Sequence, residues 1–490
     1  MSVLFGLGKL CTTRLAGNVT QNVTQNESAR SRSPESPAPI CPSSFSSIKT
    51  QNCGDCDEEN HPKLILMSNI QNTRPRARDL GIIIGPLLSP GPLNAITDVP
   101  RVKVGMMEKI SGKITSDNPE TDELRDIVRA GVTIVGTDNM TTEPLFAAIQ
   151  SLQPVGELTG SHFLEESGQL DQPIAITGTH NVGHVYGAVH KAQVLKKLDS
   201  LPDPITITLP VVGETFDRMS HPASFAIGDE EVFKAIEDMK AGPVREGNVG
   251  GGTPMVSFGM KGGTGTSSRV VPGADGRSFT VGVLIQANHG VPYDLTIDGV
   301  PVGRTLVEEG YNKPWYPTYE GKERLPKDGD GSIIVVIATD APLLPHHCKS
   351  VARRAGVGIS RGGGGVSFGS GDIFICFSTA RPLTPLKSPK YEQSIEPVST
   401  YSIETVNPET LNALYRAASD ATEEAILNAL LAAEELDGYT GQRWRTLPVE
   451  RVKELLRKAA VASQISSIKL VPSPLLIKKG NYLAIVGSYY

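Results

Sequence analysis

Aromatic residues are scarce in this sequence: Phe, Trp and Tyr together make up 5% of 490 residues, and only two are tryptophan. A core for a chain of this length must therefore come from aliphatic side chains, and the 39% apolar fraction supplies them. Cysteine is scarce too. Six scattered cysteines exclude a disulfide framework as the basis of the fold. No apolar run reaches the roughly eighteen residues of a membrane span, so no membrane partner is expected. There is no block of basic residues, and a formal net charge of −6 argues against a nucleic-acid partner. Two catalytic signatures are missing as well. No G-x-x-x-x-G-K-[ST] loop occurs, and Gly369-Ser370-Gly371 lacks the spacing of a G-x-S-x-G elbow.

What is present divides the chain in three. Residues 1–72 contain NVTQNVTQNESARSRSPESPAP, a polar, Ser/Pro-rich stretch with the composition of a disordered extension. The opening MSVLFGLGKLCTTRLAG carries Lys9 and Arg14 and no acid, which leaves an organellar transit peptide open beside a cytoplasmic location. The sequons at Asn18, Asn22 and Asn26 matter only in a secreted chain. Cys53 and Cys56 have C-x-x-C spacing, a redox or half-zinc motif, but no second pair lies near them.

Residues 73–461 read as one α/β domain. Candidate strands are Pro173–Thr177, Ile205–Val212, Phe279–Ala287, Ser332–Ala338 and Asp372–Phe377. Several are near-continuous apolar runs, as expected where both faces of a sheet are covered. Helices are predicted from Glu230 to Lys240, and from Pro408, after Asn407, to near Gly438. Cys348 and Cys376 fall in or beside apolar runs and read as core thiols. Residues 462–490 form a tail that is either one more strand or a loose end.

Three groups of residues invite chemistry. The glycine clusters EGNVGGGTPM (Glu246–Met255) and RGGGGVSFGSGD (Arg361–Asp372) match no phosphate-binding fingerprint. They read as tight turns, or as loops that let a substrate touch backbone amides. His180, His184 and His190 lie close together in THNVGHVYGAVH, but no third ligand is obvious for a metal held by an H-x-x-x-H pair. The third is KDGDGSIIVVIATDAPLLP, where a polar turn meets a buried strand at Ser332. A serine can be activated by its own α-amine if the chain is cut just before it. That amine has a pKa of roughly 7.7–8.0, close to what a general base needs at neutral pH. Gly331 offers an unhindered carbonyl for such a cut, although Gly-Ser is also a common turn dipeptide.

Several blocks occur in order: ARDLGI (Ala77–Ile82), GPLNAITDVPRVKVG (Gly91–Gly105), GNVGGGT (Gly247–Thr253), KGGTGTSSR (Lys261–Arg269), QANHG (Gln286–Gly290), GSIIVVIATDAPLLPHH (Gly331–His347), GSGDIF (Gly369–Phe374) and ATEEAILNALLAAE (Ala421–Glu434). Together they closely resemble the L-aminopeptidase/D-amino-acid esterase (DmpA-type) family, which includes the β-aminopeptidases. The resemblance implies a precursor that cuts itself between Gly331 and Ser332. It also implies a four-layer αββα sandwich with mixed or antiparallel sheets, Ntn-hydrolase-like with different connectivity. No cofactor and no metal are implied. The implied partners are small peptide, amino-acid amide or ester substrates and further copies of the chain in a homo-oligomer. By motif, Ser332 would be the nucleophile, with Ser370 and Asp372 orienting it and its amine. Many relatives have Glu at the Asp372 position, so reach here is one methylene shorter. Asn288 would donate to the oxyanion, Glu214 would bind the substrate's ammonium, and Phe216 would lie near the site. The stretch Asp217–Ser224 departs from the family pattern. Two rivals stay open: an acyltransferase resembling the ornithine acetyltransferases, which use Thr rather than Ser, and an uncleaved binding protein.

If Glu214 and Asn288 lie at strand C-terminal ends while Ser332 and Asp372 lie at strand starts, neighbouring strands must run in opposite directions. That placement favours a mixed or antiparallel sheet over a doubly wound parallel one.

Overall fold

The computed structural model describes residues 74–112, 126–198, 209–311, 331–380, 400 and 402–469, with a short strand pair at 476–479 and 482–485. The extension 1–72, with Cys53 and Cys56, lies outside the described residues.

Along the chain the strands are β1 (Lys103–Ser111), β2 (Val128–Gly136), β3 (Leu145–Pro154), β4 (Gln169–Leu170), β5 (Ile174–Gly178), β6 (Val211–Thr215), β7 (Val256–Ser257), β8 (Met260–Lys261), β9 (Gly263–Pro272), β10 (Ser278–Asn288), β11 (Ser332–Thr339) and β12 (Gly371–Ser378), followed by the short pair β13 (Leu436–Asp437) and β14 (Arg443–Trp444). The helices are α1 (Ser161–Ser167), α2 (Val182–Leu198), α3 (Asp229–Glu237), α4 (Val302–Glu308), α5 (Pro345–Ala352), α6 (Ala355–Arg361), α7 (Asn412–Ala432) and α8 (Val449–Lys469). α8 runs across residue 461, and the pair Leu476–Lys479 and Tyr482–Ile485 is antiparallel.

Two mixed sheets result. The smaller has the order β1-β2-β5-β6 and the larger β4-β3-β12-β11-β10-β9. Only β5–β6 and β11–β12 pair in parallel; the other pairs within these two sheets are antiparallel. The sequence of β11 explains how the layers stack. Ile333, Val335 and Ile337 join a core shared with α5, α6 and α7, while Ile334, Val336 and Ala338 join the core between the sheets. Period-two alternation with an apolar residue at every position describes a strand buried on both faces. β12 does the same, with Phe374 and Cys376 on the helical side and Ile373, Ile375 and Phe377 between the sheets. On the far side of the small sheet, Val132, Ile134 and Val212 pack on Val185, Val189 and Val232 of α2 and α3. The layers are therefore α, β, β, α, as expected.

Three element ends differ from the sequence reading by more than a residue or two. β6 covers Val211–Thr215 rather than ending at Val212, because its parallel register with β5 pairs Ile174 with Val211 and Gly178 with Thr215. α3 stops at Glu237, since Lys240 exchanges backbone hydrogen bonds with Val104. The Asn407 cap and Pro408 do start a helical turn, but α7 stops at Ala432, short of Gly438. Asn248 takes both backbone groups of Glu434, accepting from its N–H at 3.2 Å and donating to its carbonyl at 2.9 Å. Tertiary pairing thus ends these helices before the glycine that would otherwise stop them.

α7 lies so close to β9 that a Cβ on Gly265 would sit 2.0 Å from the Ala425 carbonyl oxygen. Gly265→Ala is therefore expected to lower unfolding free energy by about 1–3 kcal/mol, through forced displacement of a buried backbone. Urea denaturation would measure it. Inside the same helix, Glu424 is fully buried and pairs with Arg269 at 2.6 Å and Arg78 at 2.9 Å. Among the described residues no helix is long and apolar enough to cross a membrane.

Candidate active site

Ser332 opens β11 and Asn288 closes the antiparallel β10, so the two are paired in register. On the other side Ser332 pairs with Gly371, the first residue of the parallel β12. The direction changes expected from sequence are thus present: one strand ends and two begin at the same edge of one sheet. Ser332, Asn288, Ser370 and Asp372 are all buried.

In the continuous chain, Ser332 Oγ donates to the Gly331 carbonyl oxygen at 2.7 Å. That same oxygen accepts from the Gly371 N–H at 3.1 Å. The carbonyl before the serine is therefore polarised by two donors, one of them a backbone amide fixed by strand pairing. Ser370 Oγ donates to Asp372 Oδ1 at 2.5 Å, and Asp372 Oδ2 has no hydrogen-bond partner among the described residues. Burial pushes the Asp372 carboxyl up to about 6, against the lowering effect of Ser370.

This shift has a stability consequence. An aspartate whose folded pKa is raised costs nothing below its unfolded value near 4 and costs its full amount above about 6. In an uncleavable Ser332→Ala chain, Asp372→Asn is expected to stabilise by about 1–3 kcal/mol at pH 7.5 and by almost nothing at pH 3.5. Denaturant titrations at the two pH values would measure the difference.

The Asn288 amide is held from both ends. Its Oδ1 accepts from the Val256 N–H at 2.9 Å, and its Nδ2 donates to the Phe216 carbonyl oxygen at 3.1 Å. A backbone N–H must face the oxygen and a backbone carbonyl the nitrogen, so these partners define which end is which. One Nδ2 hydrogen is left over. Phe216 thus touches the site through its main chain, while its ring is 45% exposed and tilts against His180 at 5.8 Å.

Glu214 is the penultimate residue of β6, at the C-terminal end of its strand as expected. Its carboxylate accepts from the Glu157 N–H at 3.1 Å and from the Thr179 hydroxyl. Burial pushes its pKa above the usual carboxylate range, against those two hydrogen bonds. Gly156 bridges it to the strand start of β12. A Cβ there would lie 3.2 Å from Glu214 Oε1 and 3.1 Å from Gly371 Cα. The divergent segment after Phe216 is held by Asp217, which accepts from the N–H groups of Met219 and Ser220 at 2.7 and 3.0 Å.

Of the two glycine clusters, the second borders the site. Gly363, Gly364, Gly365 and Val366 line a small pocket together with Gly331 and Ser370. His184 packs against Phe225 at 5.5 Å, and no group of three His, Cys, Asp or Glu side chains is placed to hold a metal among the described residues. Sequence reasoning missed Thr179 and Lys261. Thr179 is 35 residues from Glu214, and the pairing of Thr177 with Glu214 is what brings it near.

Comparison with known proteins finds relatives over most of the chain. The model of peptidase family S58 matches residues 94–444. A beta-peptidyl aminopeptidase of Sphingosinicella microcystinivorans is 42% identical over 394 residues, covering 78% of this chain and 92% of its own length. Among solved structures, a Burkholderia beta-aminopeptidase aligns with TM-score 0.65 at 38% identity, over 78% of this chain and 98% of its own. The L-aminopeptidase D-Ala-esterase/amidase of Ochrobactrum anthropi, described as a variant of the Ntn hydrolase fold, aligns with TM-score 0.67 at 38% identity, over 79% and 99%. The chain belongs to peptidase family S58 and is a serine peptidase of the N-terminal-nucleophile kind.

Proposed function

We propose that the chain cuts itself between Gly331 and Ser332 and then releases N-terminal amino acids from small peptides, amino-acid amides or esters. The observation that carries this reading is the position of Ser332. It stands at a strand start between Asn288 and Gly371, with its hydroxyl on the carbonyl of its own preceding residue.

Self-cleavage begins when Ser332 Oγ attacks the Gly331 carbonyl carbon. The C–N bond breaks, the nitrogen takes the hydroxyl proton, and Gly331 is left as an ester on Oγ. Water hydrolyses that ester, giving a Gly331 carboxylate and a free Ser332 amine. Asp372 Oδ2, without a partner among the described residues, would be left to pair with the new ammonium, with Ser370 holding the other carboxylate oxygen. An ion pair there would ionise Asp372 and cancel much of its burial cost.

In turnover the Ser332 amine, once its ammonium form has lost a proton to water, takes the Oγ proton as Oγ attacks the substrate carbonyl. The free hydrogen of Asn288 Nδ2 donates to the oxyanion. The amine then protonates the leaving group, and water, activated by the same amine, releases the acyl group as a free amino acid. Glu214 pairs with the substrate's ammonium, which confines cleavage to the first residue.

Glu214→Gln is expected to raise KM for free peptides by about ten- to a hundredfold, the scale of one lost charge-assisted hydrogen bond. An N-acetylated peptide should be a poor substrate for both forms. Steady-state kinetics on the peptide pair checks this, and equal cleavage of both peptides by the native enzyme would remove Glu214 from the ammonium site. A panel of L-, D- and β-aminoacyl amides would assign the preferred substrate.

A further inference from the structure

Lys261 is fully buried, which for a lysine requires an explanation. Its ammonium has three protons, and three carbonyl oxygens meet them: Met255 at 2.7 Å, Gly262 at 2.9 Å and Gly252 at 3.4 Å. Burial lowers the Lys261 pKa to about 7, and Asp217 opposes that lowering from longer range. This arrangement satisfies the ammonium, but its position says more. The Met255 carbonyl belongs to the same peptide unit as the Val256 N–H, and that N–H holds Asn288 Oδ1 at 2.9 Å.

We infer that Lys261 is a positioning residue for the Asn288 amide, acting through the Met255–Val256 peptide. This inference rests on Asn288 being the oxyanion donor. The dipoles run in one sense: the ammonium donates to the Met255 carbonyl, the Val256 N–H donates to Asn288 Oδ1, and Asn288 Nδ2 donates onward. Drawing electron density toward the ammonium makes each successive N–H a better donor, because peptide and side-chain amides are both conjugated. The Gly262 N–H also donates to the Met255 carbonyl, at 2.9 Å, so this peptide is clamped as well as polarised. Asn288 Nδ2 gives one hydrogen to the Phe216 carbonyl, which fixes the direction of the other. A donor held in place before charge develops is what oxyanion stabilisation requires. The Ser332 hydroxyl donates to the Gly331 carbonyl oxygen, so Lys261 acts through Asn288 and not on the nucleophile.

The test is a double-mutant cycle on the matured two-chain enzyme, with Lys261→Met and Asn288→Ala measured singly and together. Lys261→Met is expected to lower kcat roughly tenfold with KM within about twofold, since the charge acts on the transition state. In the Asn288→Ala background the same substitution should change kcat by less than about twofold. Lys261→Gln keeps an N–H for the Met255 carbonyl without the charge, and should fall between native and Lys261→Met. If Lys261→Met does not accumulate as folded protein, the cycle is run with Lys261→Gln. A loss of the same size with and without Asn288, or a rise in KM matching the fall in kcat, would overturn the inference while leaving Asn288 as the donor. Unchanged kcat in Asn288→Ala alone would overturn both.

Discussion

Ser332→Ala is expected to yield one uncut chain with no measurable aminopeptidase activity, a loss on the order of 10⁴-fold or more in kcat. The size follows from two functions residing in one residue. Without the hydroxyl nothing attacks the Gly331 carbonyl, so the peptide bond stays closed. The Ser332 nitrogen then remains an amide and cannot serve as a base, so nucleophile and base are lost together. The fold should survive. The hydroxyl's hydrogen bond is to the adjacent Gly331 carbonyl, which keeps its bond from the Gly371 N–H. Gel electrophoresis, an amide-hydrolysis assay and a melting curve would measure the three outcomes. Ser332→Cys, which keeps a nucleophile at the same position, should still form some cut chain.

Asn288→Ala is expected to lower kcat by about 10²–10³-fold, equivalent to roughly 3–4 kcal/mol of transition-state stabilisation. KM should change far less, because the leftover Nδ2 hydrogen meets full charge only in the tetrahedral intermediate. The substitution also leaves the Val256 N–H and the Phe216 carbonyl without their side-chain partner. A stability loss of about 1–3 kcal/mol should accompany the kinetic one. Asn288→Asp separates the two effects. It retains an acceptor for Val256 but presents negative charge to the oxyanion, so kcat should fall at least as far as in the alanine variant. Steady-state kinetics with denaturant titrations on both variants would resolve them.

The strands that build the site were legible because their burial is written as composition. Six successive apolar residues after Ser332 permit only a doubly covered strand of that length, and Asp372–Phe377 reads the same way. The chemistry was less legible. Physics alone leaves Gly331-Ser332 as a turn entering a strand, and the ordered family blocks were what raised the serine above that reading. Glu214 was correctly placed at a strand's C-terminal end, but that end was read at Val212 rather than Thr215, since it depends on pairing with β5 and not on its own residues. Lys261 was invisible for a similar reason. A lysine that closes a two-residue strand ordinarily faces water, and only the folded chain shows three carbonyls aimed at its ammonium. The chain was legible where periodicity recorded burial and illegible where distant backbone segments supplied the partners.

N-terminal sequencing of the purified protein after denaturing electrophoresis shows whether the bond before Ser332 is broken in the working enzyme. Two bands are expected, the second beginning Ser-Ile-Ile-Val, in preparations that hydrolyse aminoacyl amides. A fully active preparation that runs as one chain, with Gly331 and Ser332 still joined, would contradict it.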